Sequence, residues 1–137
     1  MIYLGLDLGS KTLGLSISDK TCTIASPLGV IRYENENELF QKLDKIVDER
    51  KVDAFVLGNP KNLDGSLSDR SIISLEFKDK LESRYNKEVI MQDERLTTVE
   101  ATNYMLEADM SRKKRKKKID SLAATIILQT YLDRKGD

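Results

Sequence analysis

The sequence predicts an α/β fold: a five-stranded mixed sheet, with strands 1–3 in an antiparallel meander and strands 4 and 5 parallel, covered by helices on both faces. Three observations predict it. Between Ile2 and Arg32, apolar residues alternate with small or polar ones in short runs separated by turn residues. From Leu39 onwards the apolar period changes to three and four residues, the spacing of an amphipathic helix. Short β-rich runs at Val52–Leu57 and Val89–Met91 then interrupt the helical pattern. Strand, helix, strand, helix, strand after a meander requires right-handed crossovers and parallel pairing.

The first strand carries Ile2, Leu4, Leu6 and Leu8 on one face and Tyr3, Gly5 and Asp7 on the other. Both faces are apolar or small, so it belongs in the middle of the sheet, where Asp7 needs a partner. Two readings of Asp7 stand at this point, a cap for the following turn or a metal ligand at a strand end. Ser10-Lys11-Thr12 is a turn, and Leu13, Leu15 and Ile17 alternate in the second strand, which ends at Asp19-Lys20. The third strand runs from Leu28 to Arg32, with Pro27 at its start or on an edge. Leu39, Phe40, Leu43, Ile46 and Val47 mark a helix that is capped by Asn35 or Asn37 and reaches about Lys51. Gly58-Asn59-Pro60 stops the fourth strand, and a polar loop from Asn59 to Asp69 follows. Ile72, Ile73, Leu75, Phe77 and Leu81 give a second helix to Tyr85. Thr97 with Glu100 forms a capping-box pattern for a third, with Ala101, Tyr104, Met105 and Ala108 on its apolar face. After a basic run read as a solvated loop, Ile119 to Arg134 is the final helix. Asp120 shares its inward side with Ala123, Ala124, Ile127 and Tyr131, and the small Ala residues let it approach the sheet closely.

A chain of 137 residues is one domain on this reading, residues 1–137, able to bury roughly two-thirds of its unfolded surface. No apolar run approaches a membrane span and the N-terminus enters a strand directly, so the default location is the cytoplasm, with no membrane partner. The single cysteine, Cys22, makes no internal disulfide, and with no histidine, zinc sites and His-based triads drop out. Any catalysis must use carboxylates, hydroxyls, lysine or a bound cation. The formal net charge is zero, yet Arg112-Lys113-Lys114-Arg115-Lys116-Lys117-Lys118 is an unbroken cationic stretch whose local field is strongly positive.

Asp7 on the central strand, Glu94 at the carboxyl end of another and Asp120 on the last helix form the constellation that carries chemistry. The carboxyl ends of strands are the functional edge of an open α/β sheet, where Asp7 and Glu94 converge. Three gathered carboxylates repel unless cations join them, and Mg²⁺ or Mn²⁺ is the hard, oxygen-seeking choice. Two such ions roughly 4 Å apart can drive phosphodiester hydrolysis without His or Cys.

Gly5-Leu6-Asp7-Leu8-Gly9-Ser10-Lys11, Gly14 through Asp19, Gly58-Asn59-Pro60 with Asp64-Gly65, Asp93-Glu94-Arg95-Leu96-Thr97-Thr98 and Lys118-Ile119-Asp120-Ser121-Leu122-Ala123-Ala124 together resemble the YqgF family across nearly the whole chain. These are pre-16S ribosomal RNA nucleases with an RNase H-like fold, similar to RuvC-type Holliday junction resolvases. The resemblance implies that Asp7, Glu94 and Asp120 are catalytic and metal-ligating. It also implies metal-dependent endonuclease action, in 5′-end maturation of pre-16S rRNA. One position departs from the RuvC pattern: Gly58-Asn59 stands where those nucleases carry an acid, so Glu94 must reach in, with Asp93 the less favoured ligand.

Lys11 is expected to hold a phosphate beside the metals. Arg95 divides evenly between a backbone contact and a structural role, and Arg70, at a helix start, is the weaker nucleic-acid contact. Thr97 and Thr98 are caps. The basic run becomes a phosphate-binding strip through its position before Asp120, and its lack of aromatics favours backbone grip over base reading. Three alternatives compete with the rRNA nuclease: a Holliday junction resolvase, a non-catalytic RNA-binding assembly factor and, ranked lowest, a phosphate loop of the sugar-kinase and actin type. The expected partner is nucleic acid, precursor rRNA or branched DNA, and the expected state is a monomer or weak homodimer.

Overall fold

The computed structural model describes residues 1–59, 69–93 and 112–136, with the side chains of 69, 93, 112–120, 135 and 136 left aside. Its elements are β1 (Tyr3–Leu8), β2 (Thr12–Ser18), β3 (Ala25–Arg32), α1 (Glu36–Arg50), β4 (Ala54–Asn59), α2 (Asp69–Tyr85), β5 (Val89–Asp93) and α3 (Arg112–Gly136). The strands form one sheet in the order β3-β2-β1-β4-β5. β1 pairs antiparallel with β2 and parallel with β4, β2 pairs antiparallel with β3, and β4 pairs parallel with β5. The expected meander and parallel extension are both present, with β1 in the centre.

Strand alternation divides the interior in two. Leu4 and Leu6 of β1, Leu13 and Leu15 of β2 and Phe55 and Leu57 of β4 pack against Leu39, Phe40 and Leu43 of α1 and Phe77 and Leu81 of α2. The opposite side chains, Tyr3, Ala54 and Val56, pack against Ile127, Leu128 and Leu132 of α3. Helices therefore cover both faces. Asp7, two residues beyond Gly5 and four beyond Tyr3, is in the register of the α3 face.

Local sequence accounts for the ends of α1. Asn35 Oδ1 accepts from the Glu38 N–H at 2.8 Å, and Glu38 Oε1 accepts from the Glu34 N–H at 2.9 Å. At the other end Lys51 takes a left-handed conformation, φ 54°, and closes the last turn onto Val47 and Asp48. Arg84 of α2 grips the Asp44 carboxylate of α1 with two bonds of 2.8 and 2.6 Å, and the Tyr85 hydroxyl donates to the same group at 2.6 Å.

Three boundaries differ from the sequence reading. β3 begins at Ala25, three residues before Leu28, so Pro27 lies within it. The strand is at the sheet's edge, where a missing donor is tolerated, and a bulge opposite Leu15/Ser16 with Gly29 at φ 140° absorbs the irregularity. β4 starts at Ala54 and continues through Gly58 and Asn59, which the Gly-Asn-Pro stop signal had excluded. Both residues still pair with β5, Gly58 with Gln92 and Asn59 with Asp93. Finally, α3 starts at Arg112, so the basic run is helical and not a loop. The helix read from Thr97 to Ala108 and the loop over residues 60–68 lie outside the described residues. Among the described residues no helix is long and apolar enough to cross a membrane.

Candidate functional site

β1 delivers Asp7 to the carboxyl edge of the sheet, where the strand passes from buried to half-buried residues. Beyond it the chain turns sharply. The Gly9 N–H donates to the Thr12 carbonyl at 2.7 Å, and a Cβ at Gly9 would come within 2.7 Å of Thr12 Oγ1, so a side chain there would force Thr12 to shift. The Tyr33 hydroxyl donates to the Gly9 carbonyl at 3.0 Å, and the Tyr33 N–H to the Lys11 carbonyl at 3.1 Å. Burial pushes the Tyr33 phenol above its ordinary value, helped by the nearby Glu36 charge, so it remains a donor through neutral pH.

Small residues seat α3 above β1. Ser16 Oγ donates to the Ala124 carbonyl at 2.7 Å in a fully buried contact. A Cβ on Gly5 would overlap Ser16 Oγ and lie 2.8 Å from Leu128 Cβ and 2.9 Å from the Ala124 carbonyl oxygen. Tyr3 meets Tyr131 edge-on, ring centroids 5.4 Å apart. Thus α3 descends its numbering as β1 ascends. Nearer its start, Ser121 Oγ donates to the Leu15 carbonyl at 3.2 Å. Leu15 pairs with Leu6, and the next pair toward the carboxyl edge is Asp7 with Gly14. The backbone of Asp120, one residue before Ser121, therefore enters this packing at the level of Asp7.

On β4 the residue in Asp7's register is Gly58, which brings no side chain, whereas Asn59 falls with Phe55 and Leu57 on the α1–α2 side. Asn59 is 7% exposed, and its Oδ1 has no hydrogen-bond partner among the described residues. On β5, Asp93 continues the register of Val89 and Met91, which pack on the α1–α2 side, while Ile90 packs on the α3 side.

The other predicted site residues separate clearly. Lys11 is exposed in the turn after β1 and pairs with Glu34 at 3.3 Å. Arg70, at the start of α2, donates through Nη2 to the Leu8 carbonyl at 2.7 Å, beside Asp7 in the chain. Arg112 through Lys118 form the opening turns of α3. Glu94 and Arg95 lie outside the described residues, as do the side chains of Asp93, Asp120 and the basic run. Among the described residues no three metal-binding side chains cluster. Gly5, Ser16 and Ser121, which seat α3, were not singled out from sequence; their signal is the lack of bulk at Gly5 of β1 and Ser16 of β2 opposite Ser121 and the Ala123-Ala124 pair of the helix.

A meander extended by two parallel strands, with a carboxylate at the end of the central strand and a terminal helix laid over it, defines an RNase H-like fold of the resolvase type. Thermus thermophilus RuvC bound to a Holliday junction substrate superimposes with TM-score 0.59 at 13% identity, covering 99% of this chain and 96% of that one. Fowlpox virus resolvase in complex with Holliday junction DNA gives 0.60 at 16% identity, with both chains fully covered. The family model described as RuvX, Holliday junction resolvase, matches residues 1–134, and the chain belongs to that family. Curated relatives from Clostridium botulinum bear the name "Putative pre-16S rRNA nuclease". The strain Hall protein is 49% identical over 133 residues, 97% of each chain, and the strain Alaska E43 protein is 48% identical over 134 residues, 98% of each.

Proposed function

We propose that this chain is a metal-dependent endonuclease that hydrolyses phosphodiester bonds in the 5′-end maturation of pre-16S rRNA, acting in the cytoplasm as one domain, monomeric or weakly dimeric. The observation that carries the reading is the seating of α3. Ser121 on the Leu15 carbonyl and Ala124 against Ser16 support an Asp120 that enters the site beside Asp7. For the remaining acid, Glu94 is favoured over Asp93, since Asp93, the last residue of β5, stands in the α1–α2 register of Met91. A Gly at position 58 leaves Asp7's neighbour on β4 without a competing side chain.

Aspartate and glutamate oxygens with no thiol or imidazole are the donor set of a hard cation, so Asp7, Glu94 and Asp120 would hold Mg²⁺ or Mn²⁺. When bound, such ions supply Lewis-acid stabilisation of the scissile phosphate and a more acidic attacking water. The protein's own part is positioning. The Tyr33-braced turn that follows β1 and the packing of α3 on Ser16 support a site in which the central strand presents Asp7 and α3 would bring Asp120 to it. Lys11 and the basic turns of α3 neutralise substrate phosphates without reading bases, consistent with a reaction guided by RNA shape.

The test compares precursor rRNA 5′ ends in cells depleted of the protein and rescued with wild type or Asp7→Asn. Rescue by wild type alone is expected; rescue by the variant as well would mean a non-catalytic RNA-binding assembly factor. The family description favours a second reading, Holliday junction resolution. Paired incisions in a synthetic junction by the purified protein with Mg²⁺ or Mn²⁺, with normal rRNA ends after depletion, would establish that reading.

A further inference from the structure

Arg70 is a cation that its own helix does not favour. It stands in the first turn of α2, where unpaired backbone N–H groups make a cation unfavourable. Its one bond among the described residues is to the Leu8 carbonyl, at 2.7 Å, where the β1–β4 ladder has stopped at Leu6 and Leu57. That bond uses one donor of a guanidinium fork on an exposed side chain. The result is an anchored cation at the carboxyl end of β1, approaching from the face covered by α1 and α2.

The second cationic element approaches from the opposite face. Because α3 runs antiparallel to β1 and Ser121 already lies over Leu15, the backbone of residues 112–120 extends from the level of Leu6 toward and beyond the carboxyl end of the strand, about 13 Å in all at helical rise. Within that stretch, Lys113 and Lys117 stand eleven and seven residues before Ala124, which sits on the sheet, and so share its position in the helical repeat, whereas Arg115, nine residues before it, takes the opposite one. Arg70 and this stretch thus bracket Asp7 from the two faces of the sheet.

We infer that the substrate's sugar–phosphate backbone crosses the carboxyl edge of the sheet from Arg70 to the opening turns of α3, with the cleaved phosphate over Asp7. Arg70 grips a phosphate on one side of the cut, and Lys113 and Lys117 grip phosphates on the other. This rests on the nuclease reading above and adds to it a path. A guanidinium suits that task because its fork can hold the Leu8 carbonyl and a phosphate oxygen together.

The experiment uses a synthetic RNA spanning the mature 16S 5′ end, with single phosphates neutralised in turn as methylphosphonates. Binding is measured with Asp7→Asn, alone and combined with Arg70→Gln, Arg70→Lys or Lys113→Gln/Lys117→Gln, and thermal unfolding checks that each variant folds. Arg70→Gln is expected to weaken binding roughly tenfold and to abolish the effect of neutralising one phosphate on one side of the cut. Arg70→Lys, which keeps a donor for Leu8, recovers part of the affinity without the sharp dependence on that phosphate. The lysine pair abolishes sensitivity on the other side. An unchanged interference pattern in Arg70→Gln, or loss of the same phosphates in both variants, would overturn the path. Cleavage of the unmodified RNA by wild type with Mg²⁺ or Mn²⁺, run in parallel, separates the outcomes: cleavage with an unchanged pattern removes only the path, whereas no cleavage removes the nuclease reading.

Discussion

Asp7 could be singled out from sequence because a carboxylate inside an apolar strand has to be accounted for. Its structural support was harder to see. Gly5 carries no chemical signal, yet it is one of the points at which α3 meets the sheet, and its importance depends on Ser16 and Leu128, far away in the chain. Gly5→Ala is expected to lower stability by about 3 kcal/mol, because the added methyl meets helix backbone as well as side chains. Ser16→Ala alone should cost about 1 kcal/mol. In the double variant part of the Gly5→Ala penalty should be relieved, because one of the three clashes is gone; urea unfolding of the set gives the coupling, and strictly additive losses would contradict the packing described. Asp44 shows a different residue-scale effect. Hydrogen bonds from Arg84 first and Tyr85 second outweigh desolvation and hold its carboxyl below the usual carboxylate range. A depressed folded-state value stabilises the protein above the unfolded pKa, near ~3.9, and that stabilisation disappears as pH falls through the folded value. Asp44→Asn should therefore cost about 1 kcal/mol at pH 7, limited by the pair's exposure, and progressively less below about pH 4 in thermal unfolding.

Elements with a repeating apolar pattern were legible, and those without one were not. The α1 stripe of Leu39, Phe40, Leu43 and Val47 is buried, and its Asn35 cap is in place. The opening of α3 was missed because Arg112 through Lys118 offer no apolar periodicity, although Lys and Arg are good helix formers that can extend an already packed helix. Its first turn contains no acidic residue, so seven like charges follow one another along the opening turns, the first of them at the positive end of the helix dipole. Replacing Lys113 and Lys117 with Gln should thus raise thermal stability slightly, by roughly 0.3–1 kcal/mol. The same change should weaken RNA binding and lower the salt dependence of log K by about 0.7–0.9 per lost phosphate contact. Greater stability with unchanged affinity would show that the run does not meet the substrate. For β3 only the start was misplaced, by three residues: Pro27 does lie on an edge strand, the alternative the sequence offered, and the strand continues through it to Ala25.

For the molecule as a whole, strand order and direction followed from period and connection rules, which depend on every residue in a segment. The proposed gathering of distant acids depends instead on how closely one helix sits on one strand, a contact of Gly, Ser and Ala that composition does not advertise. A net charge of zero likewise conceals a molecule whose carboxyl edge is flanked by Arg70 and the basic turns of α3. The central claim is that Asp7, Glu94 and Asp120 share one divalent-cation site, and Mn²⁺ binding followed by electron paramagnetic resonance tests it most directly. Wild type should bind Mn²⁺, and Asp7→Asn, Glu94→Gln and Asp120→Asn should each weaken binding by about tenfold or more while remaining folded. Binding by Asp7→Asn or Asp120→Asn as tight as that of wild type would contradict the account.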